Sequence, residues 1–443
     1  MKKVITYGTF DLLHYGHIRL LERAKRLGDY LIVGVTSDDF DKSRGKINVN
    51  QSLSERIEAI RLTGLADEII VEEYEGQKID DVIRYEIDVF AIGSDWLGKF
   101  DYLKEYCEVC YLERTEGVSS TSLRSENRKT RFGVIGDVDI VRKFIEESKS
   151  VDGVVIASLC TKNPKIIKAC TEDEVKNFSS FEEMADGVDA VYIASTQNNH
   201  YSQVKYCLDK GKHVICKAPI ALSKSECEEL FKIAREKNLV LVDDVKTAYF
   251  TAYERLVLLA KSGKIGKLVS IKSTCTSLSG VSVPDDNGEK WNSICAWGPI
   301  ALLPVFQMLG CDYKSKVISS LLLNDDYDEY TKIDFVFEEA VATVEVGKGI
   351  KSEGQLIISG TDGYIFVPSP WWKTDYFEIR YENPQMNKRY YYQLDGEGLR
   401  YEIRNFMGLI ENKGRSFLEE KISMAICKVV EDFYARKNFY RIG

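Results

Sequence analysis

The chain has 443 residues, 44% hydrophobic and 29% charged, with a net charge of −9. That length suits roughly two to four domains, and the composition is that of a globular protein with sizeable cores. The acidic balance excludes a broad nucleic-acid-binding face, which needs a basic excess, and no apolar run reaches the roughly 18 residues of a membrane span. With no export signal at the N-terminus, the eleven scattered cysteines are expected to be reduced thiols of a cytoplasmic protein.

The first part reads as alternating strands and helices. "KKVITYG" is a short strand, and "HIRLLERAKRLG" has helical spacing and is expected to end at Gly28 as its C-cap. "YLIVGVT" is a continuous apolar strand of the buried parallel kind. "LSERIEAIRLTG" and "KIDDVIRYEI" are helices; "EIIVEE", "VFAIGSD" and "EVCYLER" are strands. This rhythm predicts a doubly wound parallel sheet. Cys107 and Cys110 form a lone CxxC and are expected to be two thiols in that sheet, since no second pair completes a metal site. The polar run "RSENRKTR" reads as a linker, with a domain boundary near residue 129.

The rhythm then restarts. "RFGVIG", "GVVIAS", "AVYIAST", "HVIC" and "LVLVDD" are strands; "IVRKFIEES", "YSQVKYCLDKG" and "KSECEELFKIAREKN" are helices. From about Lys267 strands dominate, and helices return in "EGLRYEIRNFMGLIEN" and "SMAICKVVEDFYAR". The expected organisation is an α/β domain over 1–129, a Rossmann-like domain over 130–265 and an α+β open-sheet domain over 266–443.

Two of the chain's four histidines, His14 and His17, stand three residues apart in "YGTFDLLHYGH". Gly8 is expected to end the strand and allow a tight turn. The HxGH stretch opens the next helix, so both imidazoles share one face. A helix N-terminus offers unpaired N–H groups and a positive dipole end, which favour phosphate, and Gly16 keeps the backbone open to a ligand. Two donors there suit nucleotidyl transfer, where positioning and charge stabilisation dominate.

Residues 1–124 closely resemble the glycerol-3-phosphate cytidylyltransferase family, within the HxGH nucleotidylyltransferase superfamily. The likeness rests on "ITYGTFDLLHYGHIRLLERAKRLGDYLIVGVTSDDF" and "RTEGVSST". It implies that His14, His17 and Lys46 are catalytic. It places Thr9, Phe10, Gly16, Asp95, Trp96, Arg114, Thr115, Ser119 and Ser120 around CTP, with Ser120 standing where the family often has Thr. It places Asp38, Arg44, Arg56 and Arg61 on the acceptor-phosphate side. The implied reaction is attack of a glycerol 3-phosphate oxygen on the α-phosphorus of Mg2+-bound CTP, releasing pyrophosphate and forming CDP-glycerol. A homodimer is implied, as is a downstream use of CDP-glycerol in teichoic-acid or capsule polymers.

Residues 131–443 resemble the glucose–fructose oxidoreductase/inositol dehydrogenase (Gfo/Idh/MocA) family, chiefly through "AVYIASTQNNHYSQVKYCLDKGKHVICKAPIALS". Against that pattern "GVIGDVDIVRKF" keeps Gly133 and Gly136 but lacks the second and third fingerprint glycines, and Asp137 and Asp139 repel a pyrophosphate. Lys217 falls where the family has Glu, and Ala218 where it has its catalytic Lys. Ala296 and Ile300 fall where it has Asp and His. His200 and His213 are read as structural or remnant cofactor-side residues. The expectation is a retained fold that has lost its NAD(P) site. The alternatives are an active NAD(P)-dependent reductase that supplies the polyol or its phosphate, and a ligand-sensing or oligomerisation module.

Overall fold

The structure is a computed structural model that describes residues 1–43, 49–74, 76–113, 129–170, 175–278, 292–324, 327–392, 394–411 and 418–443. The chain divides into two compact units, Met1–Arg128 and Lys129–Gly443.

In the first unit five parallel strands, β1 (Lys3–Gly8), β2 (Tyr30–Thr36), β3 (Glu68–Glu72), β4 (Val89–Gly93) and β5 (Glu108–Leu112), lie in the order β3-β2-β1-β4-β5. Helices α1 (Tyr15–Lys25), α2 (Asp38–Ser43), α3 (Leu53–Thr63) and α4 (Gln77–Arg84) connect them. Alternate residues of the buried strands serve two cores. Val4, Leu31, Val33 and Ala91 pack with Leu21 and Ala24 of α1 on one face; Ile5, Tyr7, Ile32 and Phe90 pack with Val82 of α4 on the other. Ser52 and Glu55 form a capping box at the start of α3, which ends at left-handed Gly64.

Helix α1 stops at Lys25 with Arg26 as its C-cap, three residues before the expected Gly28. Gly28 is required for a different reason: a Cβ there would lie 2.5 Å from the Lys2 carbonyl oxygen and 2.7 Å from a Val4 methyl. It lets the helix-to-strand loop press against β1. Cys107 and Cys110 are half-buried free thiols beside and within β5, as expected, and burial raises both pKa values.

In the second unit six parallel strands, β6 (Thr130–Ile135), β7 (Val154–Cys160), β8 (Lys176–Asn177), β9 (Ala190–Ile193), β10 (His213–Lys217) and β11 (Leu241–Asp244), take the order β11-β10-β9-β6-β7-β8. This is the two-halved Rossmann arrangement. Helices α5 (Asp139–Ser148), α6 (Pro164–Ala169), α7 (Phe181–Asp186), α8 (Gln197–Asp209) and α9 (Lys224–Glu236) complete it, and α10 (Thr251–Lys261) leads out.

A nine-stranded mixed sheet follows, ordered β19-β18-β17-β16-β12-β15-β14-β13-β20. Its strands are β12 (Leu268–Thr276), β13 (Ser315–Asn324), β14 (Tyr327–Val336), β15 (Val341–Gly347), β16 (Leu356–Gly360), β17 (Gly363–Val367), β18 (Tyr376–Tyr381), β19 (Lys388–Tyr391) and β20 (Phe439–Ile442). Helix α11 (Ser293–Leu309) carries the "AWGPI" stretch and contains Pro299 and Pro304, which propensity alone disfavours. Burial of Ile294, Ala301, Leu302, Val305 and Phe306, with Asn292 accepting from the Cys295 N–H at 3.1 Å, outweighs them. Helices α12 (Leu399–Ile410) and α13 (Glu420–Tyr434) pack back on the Rossmann part: Phe406 of α12 touches Phe132 of β6, and Cys427 of α13 joins the core beneath β9 and β10.

Candidate active site

In the first sheet the chain runs β1, β2, β3 in one direction and then returns to the other side of β1 for β4 and β5. The β1/β4 boundary is therefore the topological switch point, where ligands bind beyond the carboxyl ends of the strands. β1 feeds the segment from Gly8 to His17; β4 feeds a 3-10 turn over Ser94–Trp96. A Cβ on Gly93, at the end of β4, would meet nothing within 4 Å, so the space there is open.

The turn after β1 is built around one ring. Phe10 has φ of 54° and is 1% exposed. A Cβ on Gly8 would lie 3.1 Å from that ring. Gly8 is thus needed to seat Phe10, and the turn falls at Phe10 and Leu12 (φ 48°) rather than at Gly8 as expected. Phe10 meets the His17 ring edge-on at 5.5 Å between centroids.

His14 is the N-cap of α1, and its Nδ1 accepts from the Gly16 N–H at 3.1 Å. A neutral imidazole accepting at Nδ1 carries its proton on Nε2, so the bond sets the tautomer that can donate to a ligand. The His14 and His17 rings stack 3.9 Å apart and 19° from parallel. Both therefore stand over the first turn of α1, on one side, as the spacing predicts.

A buried guanidinium holds this turn to its neighbours. Arg56 is 0% exposed. Its Nη1 donates to the carbonyls of Thr9 at 2.7 Å and Thr36 at 2.8 Å, its Nε to Gln51 at 3.1 Å, and its Nη2 to Asp38. Arg56, expected on the acceptor-phosphate side, is here buried and shared among loop carbonyls. Asp38 is committed likewise, to Arg56 and to the Leu53 N–H at 3.3 Å. Arg61 lies exposed in the last turn of α3, in an ion pair with Glu58.

Two carboxylates missed by sequence reasoning complete the frame. Asp41, 0% exposed, accepts from the Thr9 hydroxyl at 2.8 Å. Asp11, 3% exposed, accepts from the Asn50 and Gln51 N–H groups, both at 3.0 Å. Their only sequence signal was position: an acid directly after the strand, and another beside a predicted loop. Asp95 is exposed and Trp96 half-buried, with the Lys99 ammonium 5.0 Å from the Trp96 ring centroid. Arg44, Lys46, Arg114, Thr115, Ser119 and Ser120 lie outside the described residues. Among the described residues no group of three His, Cys, Asp or Glu side chains is placed to hold a metal ion.

In the second unit, Gly136 (φ 136°) is retained for a steric reason, since a Cβ would lie 2.3 Å from the Ala194 carbonyl oxygen. Gly133 sits within β6, where a Cβ would strike the Met184 sulfur. The Asp137 carboxylate is used inside the fold, accepting from the Thr161 hydroxyl and the Lys162 N–H, both at 2.6 Å, and from the Asn163 N–H at 3.2 Å. Val138 caps α5 without a side-chain bond, and Asp139 in its first turn pairs with Arg142 at 2.9 Å. Val138 and Asp139 follow the Gly136 turn, where a dinucleotide fingerprint would carry its second glycine.

Lys217 ends β10 opposite Asp244 in the parallel register. Burial pushes its ammonium pKa down, opposed by Asp244, Cys216 and Glu402. Asp244 accepts from the Tyr192 hydroxyl at 2.8 Å. Burial, and then the Asp244 charge, raise the pKa of Glu402. Ala218, in the family's lysine position, is buried. Ala296 and Ile300 lie within α11. His200 is 0% exposed, with its ring nitrogens 2.8 Å from the Pro219 and 3.0 Å from the Ser195 carbonyl oxygens; burial pushes its pKa down to about 4. His213 Nδ1 accepts from the Val240 N–H at 3.0 Å. Both histidines bind backbone.

A switch-point crevice with two stacked imidazoles on a helix N-terminus is the site of a nucleotidyltransferase. Comparison with known proteins bears on both units. The family model described as cytidylyltransferase-like matches residues 5–126, and that of the oxidoreductase family, NAD-binding Rossmann fold, matches 130–244. The glycerol-3-phosphate cytidylyltransferase of Bacillus spizizenii is 54% identical over 126 residues, 28% of this chain and 97% of that one. Through its first unit the chain belongs to the glycerol-3-phosphate cytidylyltransferase family.

The second unit is similar to the scyllo-inositol 2-dehydrogenase (NADP(+)) IolU of Bacillus subtilis, 26% identical over 322 residues, 69% of this chain and 96% of that one. It shares its fold with KijD10, a 3-ketoreductase from Actinomadura kijaniata solved with NADP and TDP-benzene. There the TM-score is 0.62 at 14% identity, over 71% of this chain and 99% of that one. No helix among the described residues is long and apolar enough to cross a membrane.

Proposed function

We propose that the first unit transfers the cytidylyl group of CTP to glycerol 3-phosphate. An acceptor phosphate oxygen attacks the α-phosphorus in line; the bond to the β-phosphate oxygen breaks, and pyrophosphate leaves with that electron pair. Mg2+ arrives with the triphosphate as part of the substrate. The observation that carries the reading is the stacked His14–His17 pair on the N-terminus of α1 at the switch point. Two imidazole donors and a helix dipole stabilise the charge that develops on the α-phosphoryl oxygens. Thr9, Phe10 and Gly16 lie in the same turn, and Asp95 and Trp96, in the 3-10 turn after β4, are assigned to the nucleoside side. Lys46, Arg44, Arg114, Thr115, Ser119 and Ser120 supply further phosphate and nucleotide contacts, and Asp38 and Arg61 border the acceptor side. Pyrophosphate release from CTP and glycerol 3-phosphate, lost in His17→Ala, tests this. Release at the wild-type rate would overturn it.

A second reading concerns the second unit. Ala218 in place of the reactive lysine, and Val138 with Asp139 in the pyrophosphate seat, favour a domain that keeps the oxidoreductase fold without hydride transfer. Transfer to a carbonyl needs a positioned general acid, and no histidine follows His213. In this reading the whole chain is a cytoplasmic homodimer whose product feeds teichoic-acid-like or capsule polymers.

A further inference from the structure

Three lysines from three separate elements of the second unit converge on one carboxylate. Lys143 of α5 lies 3.2 Å from Glu397 Oε1. Lys373, in the 3-10 turn over Trp371–Lys373, lies 2.9 Å from Oε2. Lys246, in the 3-10 turn over Lys246–Tyr249, donates to the Glu397 carbonyl oxygen at 2.7 Å and lies 3.4 Å from Oε2.

The place is built rather than incidental. Glu397 is flanked by two left-handed glycines, Gly396 (φ 61°) and Gly398 (φ 81°). The buried Glu147 of α5 accepts from the Glu397 N–H and, at 2.9 Å, from the Arg400 N–H, which fixes the turn ahead of α12. The Thr247 hydroxyl donates to the Trp372 carbonyl at 3.1 Å and so ties the turns carrying Lys246 and Lys373 together.

One carboxylate needs one cation. Here three meet it with side-chain exposures of 29%, 14% and 41%, more positive charge than Glu397 alone balances, in a partly desolvated place. Asp139 lies 3.5 Å from Lys143, and the charge of Asp244 also acts on Lys246. Burial alone would raise the Glu397 carboxyl, but the Lys373 hydrogen bond and the Lys246 charge outweigh it and hold it at about 2. Burial pushes Lys246 the other way, downward. The cluster is more cationic than its own carboxylate requires, and three ammonium donors suit the oxygens of a phosphate. Beside it Trp372 and Trp297 meet at 4.9 Å between ring centroids, an apolar wall for a short carbon chain.

We propose that Lys143, Lys246 and Lys373 form a phosphate-binding site, that Glu397 fills it as an internal stand-in anion, and that the ligand is the phosphate ester of a small polyol or sugar. The chemistry is shared with the phosphates of a nicotinamide dinucleotide, so the test separates the two. It goes beyond the transferase reading and does not depend on it.

The experiment is lysine-selective acylation of the full chain, with each lysine followed by peptide mass mapping. The site-resolved readout excludes ligand bound at the first unit. The probes are inorganic phosphate, glycerol 3-phosphate, NADP+ and, as uncharged control, glycerol. Glycerol 3-phosphate and inorganic phosphate should protect Lys373 and Lys143, and glycerol should not. Glu397→Gln removes the competing anion and should lower the half-protecting concentration about tenfold, the effect of one charge at contact in a wet site. Lys373→Met, at an exposed position, should weaken protection of Lys143 by a similar factor. Protection by NADP+ alone would overturn the small-ester assignment. Unchanged labelling with every probe, in the wild type and in a folded Glu397→Gln, would overturn the site.

Discussion

The imidazoles of His14 and His17 stack at 3.9 Å, yet only His14 also caps the helix that carries them. The pair therefore separates into one residue that caps the helix and one that packs on the Phe10 ring. His17→Ala should lower the rate of pyrophosphate release by about 10²–10³ without the loss of a helix cap. His14→Ala should lower activity similarly and also destabilise that unit by about 1 kcal/mol through the lost cap. Equal stability of the two variants, read from denaturant unfolding, would contradict the assignment of His14 as N-cap.

Arg56 is the clearest case where stability and catalysis can be told apart. Its guanidinium is sealed among Thr9, Thr36, Gln51, Asp38 and Asp41. Arg56→Met should destabilise the first unit by about 3–5 kcal/mol, because it strands buried acceptors and a buried carboxylate. Arg56→Lys should recover part of that but not the forked geometry. A variant that unfolds like the wild type but shows a raised KM for glycerol 3-phosphate would return Arg56 to the acceptor site.

The pyrophosphate seat of the second unit makes a gain-of-binding prediction. Nicotinamide fluorescence of NADPH titrated with the full chain should stay flat below about millimolar dinucleotide, a binding energy of only about 4 kcal/mol. Val138→Gly combined with Asp139→Asn reopens the backbone and removes the carboxylate, so binding should tighten by at least tenfold. Micromolar binding by the wild type would show that the side chains at 138 and 139 do not obstruct the cofactor.

Asp243 gives the second unit a pH signature. Burial pushes its carboxyl up to about 7, against an ordinary value of 3.8. Between those pH values the folded state holds a proton that the unfolded chain has released. Its contribution to stability is complete below about pH 4 and is lost as pH rises through 7, in total on the order of 4 kcal/mol. Asp243→Asn should flatten that fall in a series of urea unfolding curves across the window. Wild-type and variant curves with the same pH dependence would show that Asp243 titrates normally.

How much of this was legible in the residues depends on the range of the interaction. The two α/β rhythms, the restart near residue 130 and the His14–His17 pairing all follow from periodicity and spacing within a few residues, and the sequence alone determined them. Local patterning also marked the missing glycines, Asp137, Asp139 and Ala218 as departures from the family pattern. Tertiary structure decided what those residues touch. Gly28 looked like a cap glycine, but it is needed because a distant group, the Lys2 carbonyl, occupies the space of its side chain, and Gly8 gives room to the Phe10 ring two residues on. The sequence did not show that Arg56 is buried among loop carbonyls. The roles of Asp11 and Asp41 were not legible, because their partners lie 30 to 40 positions away, the Asn50 and Gln51 N–H groups and the Thr9 hydroxyl. The three lysines around Glu397 span residues 143 to 373 in the chain. Their meeting is set by how α5 and two 3-10 turns pack beside α12, and no periodicity or spacing in a one-dimensional pattern encodes such a contact.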